Sequence, residues 1–198
     1  MAHLLALDET HITSARLSLR AFSRDDVAEV AAPITPAVYR FINWDAWPTR
    51  SGLSGIWQDW LDMMAAGSGL ALVIRRRERS ELIGMGGLHF LAECEPTAGL
   101  WIRDSMQGQG FGGEALAAMA SWAFSAGDAR CLYFPVFDNH EPSRRIAERL
   151  GGMRSDADPL EKAPVYRGDM VLYRIPRLHA PAERAAATSV GRRGGRGV

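Results

Sequence analysis

Residues 98–116 constrain this chain more than any other stretch. Ala98-Gly99-Leu100-Trp101-Ile102 reads as a short apolar strand and Arg103-Asp104-Ser105-Met106-Gln107 as a polar turn. Gly108-Gln109-Gly110-Phe111-Gly112-Gly113 then gives way to the helical pattern that opens at Glu114-Ala115-Leu116. Glycines let a backbone turn tightly and approach a ligand closely. A helix that starts on such a loop aims unpaired N–H groups and its positive dipole end back at it, which suits a phosphate. Four glycines in six positions are more than an ordinary turn before a helix requires. Ala115, Leu116, Met119, Trp122, Ala123 and Ala126 share one arc at helical spacing, so a helix over about residues 111–126 must pack on a sheet.

The rest of the chain supplies that sheet. Arg16–Phe22 alternates as a strand, after a leader expected to be loose over residues 1–13. Ser23 caps a short helix over 24–31, with Asp25 and Asp26 in its first turn, and Pro33 and Pro36 end it. Residues 38–66 carry Tyr39, Phe41, Trp44, Trp47, Trp57 and Trp60. Pro48 and Gly52 break this stretch before an amphipathic helix over 55–66. Most of these rings read as core; Trp44 and Trp47, in a loop, are candidates to wall an acceptor pocket. Leu70–Arg76 and Leu82–Phe90 form a hairpin across the charged turn 77–80. Arg130–Phe137 is a strand whose Pro135 cannot donate to a ladder, so it is open on one side there. Residues 142–150 form a helix with Pro142 in the first turn and Gly151 just past the end. Asp169–Ile175 is a last strand. Residues 177–198 hold several arginines and little apolar content, the composition of a disordered basic tail.

The 198 residues carry 23 basic and 23 acidic side chains, so no global field draws the chain to nucleic acid or an anionic membrane. Cys94 and Cys131 have neither metal-site nor disulfide spacing, no metal is expected, and a reducing cytoplasm is the simplest compartment. The first residues lack the pattern of a secretory signal, and no apolar run is long enough to span a bilayer.

Gly108-x-Gly110-x-x-Gly113 matches the dinucleotide-binding fingerprint, and Asp138 ends the following strand where a ribose-binding acid would sit. Against that reading, five residues separate strand from glycines, and about 60 residues after Asp138 are too few for a second mononucleotide half with a substrate domain. A P-loop is excluded, since no Gly-Lys-Ser/Thr follows the glycines. The other pattern present is Gln/Arg-x-x-Gly-x-Gly/Ala, met by Gln107 to Gly112. With Leu82-Ile83-Gly84, Gly99-Leu100-Trp101-Ile102, Asn139 to Gly151 and Tyr166-Arg167-Gly168-Asp169, in that order along residues 16–176, the chain resembles the GNAT acetyltransferases, and within them the branch that acetylates the N-termini of ribosomal proteins.

The resemblance implies an α/β domain over residues 1–176: a mixed, mostly antiparallel, V-split sheet of about seven strands with helices on both faces. It implies acetyl-CoA as co-substrate, its pyrophosphate on backbone N–H groups of Gln107, Gly108, Gln109, Gly110, Phe111, Gly112 and Gly113. The pantetheine would pair like an added strand with Leu100, Trp101 and Ile102, where Pro135 is compatible with a missing ladder. An amine attacks the thioester directly, so one group must take a proton from the amine and another return one to the thiolate. A strand N–H near Trp101 or Ile102 would stabilise the oxyanion. The acceptor would be a primary amine, a protein N-terminus by preference. A small amine such as an amino acid, polyamine or aminoglycoside is the second reading, and a non-catalytic acyl-CoA sensor the third. Neither nucleic acid nor membrane is an expected partner, and monomer and homodimer are both compatible.

The catalytic groups depart from the superfamily. The strand position of its frequent glutamate is Thr97, and the helix position of its frequent tyrosine is Ala147. Ser143 aligns with the motif serine and is the candidate donor to the sulfur, or merely a helix cap. Asn139 or His140 occupies the motif's asparagine position, to contact pantetheine or orient water; Asn139 as a turn residue and His140 as a surface histidine are the plainer readings. Glu93, Glu95 and Glu141 read as solvated charges, as do Arg144, Arg145 and Arg149 on their helix. His89, in a strand, points into the cleft or into solvent.

Overall fold

The computed structural model describes residues 7–42, 50–126, 129–157 and 169–177. Eight strands form one sheet in the order β1 (His11–Thr13), β2 (Leu17–Ala21), β3 (Gly69–Arg76), β4 (Leu82–His89), β5 (Thr97–Ile102), β6 (Cys131–Phe137), β8 (Met170–Pro176), β7 (Met153–Arg154). All neighbours are antiparallel except β5 and β6. A doubly wound dinucleotide fold needs a mostly parallel sheet, so the topology removes that alternative.

The sheet has eight strands where about seven were expected, and two of them, β1 and β7, had no strand read in the sequence. Residues 11–13 are no loose leader: His11, Ile12 and Thr13 pair with Arg20, Leu19 and Ser18, and Ile12 is buried. Three residues are too few for alternation to be read. β7 is shorter still, two exposed residues held by pairing with Tyr173 and Arg174. Residues 1–6, Trp44, Trp47, Pro48, Tyr166 to Gly168 and the tail from 178 onward lie outside the described residues.

The helices follow the sequence with shifts at their ends. Ser23 opens a single 3₁₀ turn (Arg24–Asp26) that runs into α1 (Val27–Ala31). Pro36 starts α2 (Pro36–Tyr39) rather than only ending what precedes it, because Thr35 Oγ1 accepts the Val38 N–H at 3.2 Å and proline is at home in a first turn. α3 (Arg50–Ala65) begins five residues before Gly55 and takes Gly52 into its first turns. α4 (Phe111–Ala126) and α5 (Glu141–Arg149) fall as expected.

Sheet registers assign the faces. Ala71, Gly87 and Gly99 are cross-strand partners, as are Val73, Met85 and Trp101, so these side chains share the face covered by α3. Leu72, Gly86 and Leu100 share the other face, where Met119 of α4 fills the space a side chain at Gly86 would need, its sulfur 2.6 Å from the position of a Cβ. Ala115, Leu116, Met119 and Ala123 are buried there as expected; Trp122 is half-buried and Ala126, in the last turn, is exposed.

The parting of β5 from β6 matters most. Only Thr97 and Tyr133 are in register, with the Tyr133 N–H donating to the Pro96 carbonyl at 2.8 Å. In a strand, residues i and i+2 direct their N–H groups to the same side. The next donor toward β5 would therefore come from Pro135, which has none. On its other edge β6 stays fully paired with β8, Pro135 opposite Leu172. The ladder ends where the proline stands and the strands diverge.

Asp26 ties the start of the chain together. Its carboxylate accepts from the Ser23 N–H and Oγ and pairs with Arg20 and Arg75. Burial alone would raise its pKa, but the bonds from Arg20 and Ser23 outweigh that and hold it below the usual carboxylate range. A depressed carboxyl contributes stability that is complete above about pH 4 and disappears as pH falls through the lower folded-state value. Replacing Asp26 by Asn should cost about 3 kcal/mol at pH 7, measured by urea unfolding, and the gap to wild type should close as the pH is lowered below 4.

Candidate active site

The divergence of β5 and β6 opens a cleft of about 430 Å³. Its floor is the cross-strand pair Gly87–Gly99, and a Cβ at Gly99 would meet nothing within 4 Å. One wall comes from α3, with Ile56, Asp59, Trp60 and Met63; the opposite wall is Phe134 to Phe137 of β6, with His140 and Ser143 beyond it. Thr97, Leu100 and Trp101 line the open edge of β5. Thr97 is buried, and so is Trp101, whose indole Nε1 has no hydrogen-bond partner. A buried donor without an acceptor is costly, so this wall holds one polar group unspent.

At the far end of β5 the chain makes a 3₁₀ turn (Asp104–Met106) and enters the glycine loop. Gln107 Nε2 donates to the Ile102 carbonyl at 2.9 Å, tying loop to strand. Gly108 and Gly110 have φ of 74° and 81°, left-handed values that favour glycine, and residues 107–110 are exposed. Arg16 braces the loop from outside. Its side chain donates to the Gln109 carbonyl at 3.1 Å and pairs with Glu114 at 2.7 Å, and its guanidinium lies 4.5 Å over the Phe111 ring. Burial would raise the Glu114 pKa, but the bonds from Ser14 and Arg16 lower it on balance. The sequence reading missed Arg16 and Glu114 as a pair, because 98 residues separate them.

The candidate catalytic residues separate in space. Ser143 and His140 line the cleft; Asn139 sits in the exposed turn before α5, outside the lining. His140 stacks on Phe41 with ring centroids 3.9 Å apart, and burial, then the charge of Arg40, lower its pKa. Ala147 is fully buried, so the core takes the place where the superfamily often has a tyrosine. Arg144 is engaged with Tyr173 and the Asp138 carbonyl, and Arg145 with Glu141. His89, left open between cleft and solvent by the sequence, lines the cleft; so do Trp60, read there as core, and Asp59, which the sequence did not single out. Among the described residues no cluster of ligands could hold a metal ion, and no helix is long and apolar enough to cross a membrane.

Residues 16–153 match the family model of the acetyltransferase (GNAT) domain. The chain belongs to the GNAT acetyltransferase family. Solved structures of the same fold include an acetyltransferase from Agrobacterium tumefaciens, 25% identical, TM-score 0.68, covering 83% of this chain and 93% of that one. Mycobacterium smegmatis RimJ in complex with CoA-disulfide is 17% identical, TM-score 0.74, with 88% and 90% covered. RimL, a ribosomal alpha-N-protein acetyltransferase in complex with coenzyme A, is 18% identical, TM-score 0.70, with 84% and 98% covered. No curated protein matches the sequence. This GNAT chain is thus an acyltransferase with acetyl-CoA as co-substrate. Its residues fit that molecule: a free strand edge on β5 for an amide-bearing arm, and exposed left-handed glycines before α4 for a diphosphate.

The glycine floor gives a direct test that the cleft is where chemistry occurs. Gly99→Val fills open space, so the melting temperature should stay within about 2 °C. Turnover should fall about a hundredfold, since it displaces whatever binds on the floor; thiol release with acetyl-CoA and an amine reports it.

Proposed function

We propose that this chain transfers the acetyl group of acetyl-CoA to the α-amine at a protein N-terminus, by direct attack with both substrates bound. The observation that carries the reading is the parted β5–β6 edge, which gives an extended thioester a route from the glycine loop into a cleft that holds a single carboxylate, Asp59, among its described lining residues. One carboxylate suits one ammonium group; a polyamine or aminoglycoside calls for several. That RimL is named a ribosomal alpha-N-protein acetyltransferase supports the same choice.

Backbone N–H groups of residues 107–113 hold the pyrophosphate at the N-terminal end of α4, and Arg16 keeps their loop in shape. The β5 edge at Leu100, Trp101 and Ile102 takes the pantetheine amides, and an N–H of Trp101 or Ile102 stabilises the oxyanion. When bound, acetyl-CoA supplies an activated acyl carbon and a thiolate leaving group. Ser143, on the β6 side, returns a proton to the sulfur, directly or through water. His140, stacked on Phe41, orients that water, and Asn139 reaches the arm from the turn. We place the enzyme in the cytoplasm, where the exposed Cys94 stays reduced and protein N-termini are at hand.

Acetyl-CoA at a hundred times its Kd should raise the melting temperature by about 5–10 °C, and NAD should raise it not at all. Gly110→Val, which forces a branched residue into φ of 81°, should weaken acetyl-CoA about tenfold to a hundredfold by calorimetry. Peptides with a free N-terminus should release CoA faster than spermidine or free amino acids at equal concentration; the reverse order moves the assignment to a small amine.

A further inference from the structure

The amine needs a base, and the strand position where the superfamily often carries a glutamate is Thr97 here. Its cross-strand partner is His89, the last residue of β4. His89 lies on the face covered by α3 and lines the cleft. Its Nε2 stands over Gly87, 3.3 Å from where a Cβ there would be, and Gly87 pairs with Gly99 on the edge that opens toward β6. The imidazole is therefore laid back along the strand over the bare two-glycine floor rather than out toward solvent. The next residue, Phe90, is in the left-handed region with φ of 58° and turns the chain away, which fixes His89 as the final rung of the strand.

We propose that His89 is the general base that accepts the proton of the attacking amine. This rests on the acetyl-transfer reading above. Nε2 takes the proton from the amine nitrogen. That nitrogen's electron pair forms the N–C bond to the acetyl carbonyl carbon, the C–S bond breaks with its electrons on sulfur, and the sulfur is protonated from the Ser143 side. His89 afterwards loses its proton to solvent. The products are one amide and one free thiol.

The two proton tasks then come from opposite walls. His140 and Ser143 lie on the β6–α5 side, His89 on β4. His140 is the poorer base candidate, its ring face held against Phe41 and its charged form opposed by Arg40. Around His89 the titratable cleft groups are Asp59 from α3 and His140 from the β6–α5 turn. Its strand neighbours Gly69 on β3 and Thr97 on β5 do not titrate. Burial alone lowers its pKa, so the imidazole is neutral and able to accept a proton at pH 7.

The test uses the full chain, acetyl-CoA and a tetrapeptide with a free N-terminus, with single-turnover CoA release followed from pH 5 to 9. With each rate divided by the fraction of neutral α-amine at that pH, wild type should lose rate on acidification with a midpoint below about 6.5. His89→Gln should keep its acetyl-CoA Kd, lower the rate about a hundredfold or more, and lose the acidic limb. His140→Gln should keep that limb. Should His89→Gln fail to bind acetyl-CoA, and so fail to report, the limb in wild type and His140→Gln decides alone. A rate in His89→Gln within threefold of wild type, a limb that survives in it, or no limb in wild type overturns the assignment of His89. Failure of wild type to release CoA with any amine overturns the acetyl-transfer reading itself, and this proposal with it.

Discussion

A hydrogen bond that cannot form organises this structure. After the Tyr133 N–H meets the Pro96 carbonyl, the next rung between β5 and β6 has no donor, because residue 135 is proline. In a continuous sheet this would be a defect in the middle of a buried ladder. Here it turns an interior strand into one with a free edge for part of its length, flanked by pairing that stays intact: β5 remains zipped to β4 over six residues and β6 to β8 over seven. Free backbone groups at an interior edge are an expense unless something extended completes them, and a ligand arm with amide groups can.

The same divergence relates the two ends of β5. Its first residue, Thr97, is still paired with β6 and, with Gly99 just beyond the pairing, lines the cleft; its last residues lead through the Gln107–Ile102 bond into the glycine loop. One strand thus joins the cleft to the glycine loop, so both ends of the proposed site are carried by the paired interior of the sheet. Arg16 and Glu114 hold the loop against the β1–β2 turn, so the anchor is braced by the N-terminal hairpin as well.

What was legible from the residues was what local chemistry dictates. Pro135 announces a missing donor whatever it neighbours, and four glycines before an apolar helical arc announce a phosphate-sized loop. The interior strands alternate or run apolar over five to eight residues, long enough to read. Short elements were not legible: β1 and β7 exist only because a neighbour offers them a partner. Helix starts shifted for a similar reason, since Pro36 and Gly52 are tolerated in first turns. The site was half legible. Motif spacing led to Ser143 and His140 on one wall and left His89 open between cleft and solvent, but Asp59 and Arg16 reach the site from other elements, through contacts no spacing encodes.

The departures at Thr97 and Ala147 make sense as parts of one arrangement. Ala147 is sealed in the core, so a tyrosine hydroxyl there would be buried with it rather than presented to the cleft. Thr97 is buried too, so a carboxylate there would bear a desolvation penalty beside an apolar floor. An imidazole carries no such penalty in its neutral form, and a weak base is enough when the acceptor ionises near pH 8 rather than above 10. An α-amine is already about one-tenth neutral at pH 7. A cleft whose described lining holds one carboxylate, Asp59, then has two tasks: attract the ammonium form, which releases its first proton to solvent, and take the second proton as the bond forms. A lysine side chain would ask far more of it. The chemistry of the cleft and the acidity of an α-amine therefore both favour the proposed acceptor, the end of a polypeptide rather than its middle.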